Sequence, residues 1–391
     1  MKPFCQVTLW WNWYYIRNQV SPHFYYYPVQ LMLEKGLNVE VLTELYPERA
    51  EVEYEALENL QIYRFKADTN SARANLSFSA RLFRHMIKRD YSLINLHTID
   101  LYANHIVWLV SKLKDIPMIF TSHSPLLMEN LLKAESGISF SGKEALRARS
   151  LLWDSPTCVF IAFTECQAEL YRKVGVKNIR VIPHCIDPRV FQVEKDNRIA
   201  IKYGLDENNI LCISTMEPRK GQDLIIESMP KILKEFPNTK LLLSGRTYEQ
   251  CHREYLKKLE LLVSKLNLND RVVFLGDIPK EDLIQLYLLS SIFVLPTESE
   301  MFGLVFLEAM AAGLPVITTN KPYTAEILDN GKAGMLVERE QTEIGNAILQ
   351  LLGDKELRKK MGADGQKTVE QKYCLDNIVQ QYWEFFKSLL E

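Results

Sequence analysis

Pro296-Thr-Glu-Ser-Glu300-Met-Phe-Gly303-Leu-Val-Phe-Leu-Glu308-Ala-Met-Ala-Ala-Gly313-Leu-Pro315-Val-Ile317 reads as a strand end, a loop, a helix, a glycine stop and the next strand. The run just before it, Ile292-Phe-Val-Leu-Pro, is apolar throughout, as a parallel strand covered by helices on both faces should be. A loop leaving the carboxyl end of such a strand lies where doubly wound folds bind ligands. The N–H groups around Phe302, Gly303 and Leu304 open the helix and favour anionic oxygens such as phosphate. Glu308 is the lone charge among Phe302, Leu304, Val305, Phe306, Leu307 and Met310. Burying that carboxylate is costly unless something hydrogen-bonds it. The hydroxyl pair of a ribose would meet the need, and so would a backbone or basic partner in the core. Taken alone, Glu300 is a plain loop carboxylate.

A second motif, Ile213-Ser-Thr-Met-Glu217-Pro218-Arg219-Lys220-Gly221-Gln-Asp223, also follows an apolar strand and precedes a helix. Arg219 and Lys220 beside a glycine at a strand-to-helix turn can clamp a phosphate, although a lone Pro-Arg-Lys-Gly turn is equally an ordinary solvated loop. Outward from these motifs, short β-rich runs alternate with amphipathic segments, the mark of βα units and a parallel sheet. Strands are predicted at Phe4–Trp10, Val39–Glu44, Ser92–His97, Pro117–His123, Cys158–Thr164 and Arg180–His184. The second half carries Ile210–Thr215, Lys240–Gly245, Val272–Gly276, Ile292–Thr297, Pro315–Thr319 and Met335–Val337. Helices are predicted at Tyr25–Lys35, Asp223–Phe236, Tyr255–Leu266, Lys280–Leu289 and Ile344–Leu352. A polar stretch from Arg189 to Asn209 separates the halves, so the expected domains are 1–188 and 189–375. The apolar helix Asp376–Leu390 must dock somewhere.

Composition narrows the class. The 391 residues exceed one ordinary core, and 47% hydrophobic with 25% charged residues describes a globular chain. A formal net charge of -2 gives no global basic field of the kind that gathers nucleic acid. Seven scattered cysteines without a C-x-x-C pair argue against a zinc site or disulfide framework and suit a reducing compartment. Val7–Tyr15 is interrupted by Asn12 and reads as a first strand rather than a signal peptide, and no apolar run is long enough to span a membrane. A cytoplasmic enzyme or binding protein is expected. The aromatic stretch Trp10–Tyr27 is either a sugar-stacking platform or core packing. From Arg73 to Arg89 there is no acidic residue, and basic side chains interleave with Leu76, Phe78, Leu82, Phe83, Met86 and Ile87. That pattern is a membrane-surface helix or an ordinary helix packed on the first sheet.

The two motifs together resemble the GT-B fold retaining glycosyltransferases of family 4. Those enzymes carry Pro-x-Lys-Gly after the first strand of the C-terminal domain and a Glu-x7-Glu pair flanking Phe-Gly; Glu300 and Glu308 have that spacing. Val181-Ile-Pro-His-Cys-Ile-Asp187 is similar to the family's linker, and Tyr171–Val176 to the segment before it. The resemblance implies two facing Rossmann-like domains with a cleft between them and a C-terminal helix crossing back. It implies transfer of a hexose, with retention and without metal or cofactor, from a UDP- or GDP-sugar to a glycan or lipid-linked hydroxyl. Lys220 would meet the donor diphosphate, Glu308 the ribose, and Glu300 with the N–H groups after it the transferred sugar. His123, at the end of a predicted strand, matches a histidine that reaches the donor sugar. His97, likewise at a strand end, is either structural or on the acceptor side, and Trp11, Asn12 and Trp13 are further acceptor-side candidates. Peripheral contact with an anionic inner membrane face through 73–89 would suit a lipid-linked acceptor.

Three positions depart from the family pattern. Ser214 and Thr215 stand where an Arg precedes the clamp lysine, so Arg219 or Arg246 supplies the second cation or the diphosphate is held more weakly. A Gly-Gly turn after the first strand is replaced by Trp10-Trp-Asn-Trp-Tyr-Tyr15, and His184-Cys185 replaces Asn-Gly in the linker. Two other readings remain beside transfer: a non-catalytic nucleotide-sugar- or partner-binding relative, and a sugar-nucleotide epimerase of the same fold.

Overall fold

The computed structural model describes residues 2–8, 26–45, 54–66, 71–97, 101–122, 157–173, 175–206, 208–247, 250–300 and 302–391. The chain divides into two compact units, Met1–Pro183 with Asp376–Glu391, and His184–Leu375. Each is an α/β unit built on a parallel sheet, as the alternating pattern predicts.

The first unit holds β1 (Phe4–Thr8), β2 (Val39–Leu45), β3 (Tyr54–Leu57), β4 (Leu60–Lys66), β5 (Leu93–His97), β6 (Met118–Thr121), β7 (Cys158–Ala162) and β8 (Ile179–Val181). Their order across the sheet is β3-β4-β2-β1-β5-β6-β7-β8. Every residue of β1, β5 and β6 is buried, including the polar Gln6, Thr8, Asn95, His97 and Thr121 that interrupt their apolar runs. The β3–β4 pair is antiparallel and turns at Glu58-Asn59, with Leu57 opposite Leu60; the sequence reading missed this hairpin. The helix Leu375–Leu390 belongs to this unit apart from its first residue, and Phe386 packs on Phe4 with ring centroids 5.8 Å apart.

The second unit holds β9 (Asn208–Ile213), β10 (Thr239–Ser244), β11 (Val272–Gly276), β12 (Ile292–Leu295), β13 (Val316–Thr319) and β14 (Gly334–Val337), ordered β11-β10-β9-β12-β13-β14. The chain starts inside the sheet at β9, runs outward to β11, then returns to the other side of β9 at β12. The connections therefore diverge between β9 and β12, and loops leaving their carboxyl ends frame the crevice at a topological switch point. Both motifs singled out in the sequence lie in those two loops. The stretch expected to be a polar linker after Arg189 contains a helix, Asn197–Lys202, capped by Asp196. No helix among the described residues is long and apolar enough to cross a membrane.

Candidate functional site

After β9 the chain forms a single 3-10 turn, Pro218–Lys220, and enters the helix Gln222–Glu235 through Gly221. Gly221 has φ +74°, and a Cβ there would stand 2.7 Å from the Pro296 carbonyl oxygen. A side chain would thus be strained by conformation and would also force the two loops apart. This close approach lets the loops bond to each other. The Glu298 N–H donates to the Arg219 carbonyl at 2.7 Å, and Arg219 Nη1 donates to the Ser299 carbonyl at 2.7 Å. At the tip, Lys220 Nζ donates to Glu300 Oε1.

Lys220 is buried to 7% exposure, so its ammonium needs an anion beside it, and Glu300 supplies one. Arg219 is engaged differently: Nε and Nη2 reach the Glu217 carboxylate at 2.8 and 3.2 Å, and Nη1 lies 3.9 Å from Glu300. Burial alone would raise the Glu217 carboxyl. The hydrogen bond from Thr215 and the charges of Arg219 and Lys220 outweigh it and hold the group below its usual range.

The other loop runs through Phe302 to Gly303, which has φ +82° and starts the helix Leu304–Ala311. The left-handed turn at Gly303 brings its backbone so near the Phe306 ring that a Cβ would lie 2.6 Å from it. Phe302 is buried between the rings of His184, 5.1 Å away, and Tyr373, 5.7 Å away, both edge-on. The His184 that departs from the linker pattern therefore packs against Phe302 in the loop after β12. Glu308 is buried, and the Tyr287 hydroxyl donates to its Oε2 at 2.7 Å. Burial and the Glu308 charge push the Tyr287 phenol well above its ordinary value, so it stays a donor. Tyr287 was missed in the sequence because a tyrosine inside an apolar helix carries no signal of a partner 21 residues on.

Arg246 follows β10 and lines a cavity of about 190 Å³ with Met216, Gly245, Thr247, Phe274 and Asp277. Its Nε lies 3.4 Å from Asp277 Oδ1. The Met216 N–H donates to the Arg246 carbonyl at 3.4 Å and the Ser214 N–H to Ser244 at 3.0 Å, so Arg246 borders the segment where the family arginine is replaced. In the first unit, His97 is buried at the carboxyl end of β5, with its Nε2 3.1 Å from Asn95 Nδ2. Asn95 Nδ2 also donates to Gln6 Oε1 at 2.9 Å. His123, Trp11, Asn12 and Trp13 lie outside the described residues.

Two facing loops at the switch point of a parallel sheet, one carrying a buried cation and the other the carboxylate it pairs with, frame a crevice in an α/β protein. Two family profiles match the chain, "Glycosyl transferases group 1" over residues 194–368 and "Glycosyltransferase Family 4" over 27–190. The chain belongs to the GT-B glycosyltransferases of family 4. It is 32% identical over 217 residues to the N-acetyl-alpha-D-glucosaminyl L-malate synthase of Bacillus anthracis, covering 55% of each chain. It is 28% identical over 222 residues to a GDP-mannose-dependent alpha-(1-6)-phosphatidylinositol monomannoside mannosyltransferase of Mycobacterium tuberculosis, covering 54% of this chain and 56% of that one. The chain thus spans about half the length of these curated relatives. Among solved structures, sucrose-phosphate synthase from Thermosynechococcus elongatus superposes with a TM-score of 0.80 at 20% identity, covering 100% of this chain and 99% of that one. That likeness speaks to the fold.

Proposed function

We propose that this protein transfers a hexose from a nucleoside-diphosphate sugar to a hydroxyl of a glycan or lipid-linked acceptor, with retention and without a metal ion. The observation that carries the reading is the juxtaposition of Lys220 and Glu300 across the switch-point crevice. In transfer, charge grows on the leaving diphosphate, and a cation already positioned there stabilises it without reorganisation. Lys220 exchanges Glu300 for a phosphate oxygen, and Glu300 turns to the hydroxyls of the transferred sugar. First-turn N–H groups at Leu304 and beyond add a second set of donors. Glu308, aligned by Tyr287, accepts from the ribose hydroxyls. Arg219 braces the two loops, and Arg246, beside Ser214 and Met216, supplies the second cation in place of the absent arginine. His123 acts on the donor sugar, and His97, Trp11, Asn12 and Trp13 serve the acceptor.

A panel of UDP, GDP, ADP and CDP with their sugars, read by thermal shift, tests the donor class, since a ligand that binds the folded state raises its apparent stability. One nucleotide should stand out, and Glu308→Ala should weaken it by about tenfold. No shift with any member would sink the reading.

A membrane-borne acceptor is supported by one row of side chains. On the helix Ser71–Met86 and the residues after it, Arg81, Arg84 and Lys88 are exposed while Leu82 and Met86 are buried. Arg89 is not part of the row, because Glu40 lies 3.3 Å from its Nε and the Tyr63 ring lies 5.1 Å from its guanidinium carbon. With Leu82 and Met86 turned inward, contact with anionic lipid rests on charge, at about 1 kcal/mol per basic residue. Arg81, Arg84 and Lys88 changed together to Glu should abolish salt-sensitive sedimentation with phosphatidylserine vesicles. Equal sedimentation of both proteins would leave the row a solvated face.

A further inference from the structure

We infer that Arg339, which belongs to neither motif, is a positioning residue that sets the register of the two donor loops; the inference rests on the reading of those loops as the donor site. Arg339 follows β14 at the edge of the second sheet, two strands away from β12. Its guanidinium reaches back across that distance and ties one loop to the other. Nε donates to the Pro296 carbonyl at 3.0 Å, and Nη2 donates to the Pro218 carbonyl at 2.8 Å.

The need for it follows from the residues it joins. Above this point the loops hold each other through their own donors: the Glu298 N–H to Arg219, the Arg219 guanidinium to Ser299, and Lys220 to Glu300. Residues 218 and 296 are both prolines, which have no N–H, so neither can donate to the other. The lowest rung of the ladder can close only with donors brought from elsewhere. A guanidinium supplies two in a rigid planar fork, one for each carbonyl, whereas an ammonium has no such fixed pair. Gly221 sits against the same Pro296 carbonyl, and Arg339 Nη2 would be 3.5 Å from a Cβ at that glycine. The base rung therefore fixes the turn from which Lys220 projects, and through it the spacing of Lys220 and Glu300.

The test compares wild type with Arg339→Met and Arg339→Lys, using UDP, GDP, ADP and CDP as probes in calorimetry. For whichever nucleotide the wild type binds, Arg339→Met should weaken affinity by about tenfold and Arg339→Lys by less. Donor KM should rise while acceptor KM stays put, and millimolar guanidinium ion should restore part of the loss in Arg339→Met but none in Lys220→Met. Amide exchange of the peptide containing Glu298 should quicken in ligand-free Arg339→Met, a readout that needs no nucleotide. A variant that melts earlier yet keeps wild-type affinity and exchange would show Arg339 to be a plain stabilising residue and overturn the inference. Should the wild type bind none of UDP, GDP, ADP and CDP, the donor reading fails, and the exchange rate alone then decides: faster exchange upholds the positioning role, unchanged exchange refutes it.

Discussion

Because Lys220 is already paired with Glu300, the two residues should have opposite effects on a nucleoside diphosphate that lacks its sugar. Lys220→Met removes a buried ammonium from the crevice. A charge-assisted hydrogen bond to phosphate contributes about 1.5–3 kcal/mol, so Kd should rise by about 10- to 150-fold. Glu300→Gln keeps an acceptor for Lys220 but removes a negative charge that competes with the incoming diphosphate. Two unit charges about 6 Å apart at an effective dielectric of about 20 repel by roughly 3 kcal/mol. The Glu300 side chain retains 13% exposure, and water and salt reduce that figure, so a gain of about 1 kcal/mol, or about fivefold tighter binding, is expected. With the intact sugar nucleotide the same substitution should slow transfer, since Glu300 is then needed by the sugar. The double variant should depart from additivity because the residues share one contact. Calorimetry with UDP and GDP at fixed ionic strength reads all four proteins. Weaker nucleotide binding by Glu300→Gln, or unchanged binding by Lys220→Met, would refute the exchange of partners.

The proposed site assigns the diphosphate to cationic side chains rather than to a metal, so transfer should persist in excess EDTA; activity lost on chelation and rescued by manganese would count against this. Gly221→Ala should lower the melting temperature by the equivalent of about 1–3 kcal/mol and weaken nucleotide binding, as φ +74° and the Pro296 carbonyl both oppose a methyl group there. In the first unit, burial would raise the Glu40 carboxyl, but hydrogen bonds from His85 and Tyr91 and the charge of Arg89 hold it below its ordinary 4.5. Its stabilisation is therefore present above about pH 4.5 and is lost as pH falls through the lowered folded value. Denaturation of wild type and Glu40→Gln should differ at pH 7 and converge in acid, and a gap that widens below pH 4.5 would contradict the assigned direction.

The site was more legible than the scaffold around it, for reasons that differ by element. Lys220, Gly221, Glu300 and Gly303 lie close to strands whose apolar runs are continuous, so the strand ends, and with them the crevice, could be located from composition. The helix Lys355–Thr368 escaped notice because it packs through glycines rather than an apolar stripe. A Cβ at Gly362 would stand 2.1 Å from the Gly313 carbonyl oxygen, and Gly365 rests on Met310. Close backbone approach leaves no hydrophobic periodicity to read. The β3–β4 hairpin is hard to read because the alternation of Leu60-Gln-Ile62 breaks at Arg64, a charged residue that takes the buried position on the face of Leu60 and Ile62. Tyr287 and Arg339 could not have been assigned partners at all, since their bonds join segments 21, 43 and 121 residues apart. Chemistry that sits in one loop can be read along the chain; chemistry that depends on who stands opposite cannot.

The packing of Phe386 on Phe4 also dictates an order of events during synthesis. Everything between Pro183 and Asp376 forms the second unit, and its two ends are stitched together where the Ile186 N–H donates to Tyr373 and the Leu375 N–H to Ile186. That insert is fully translated while the first unit still lacks its last helix. The first unit therefore cannot close until the whole insert has been made, and a truncation at Leu375 would leave Phe4 without its Phe386 partner while sparing the insert.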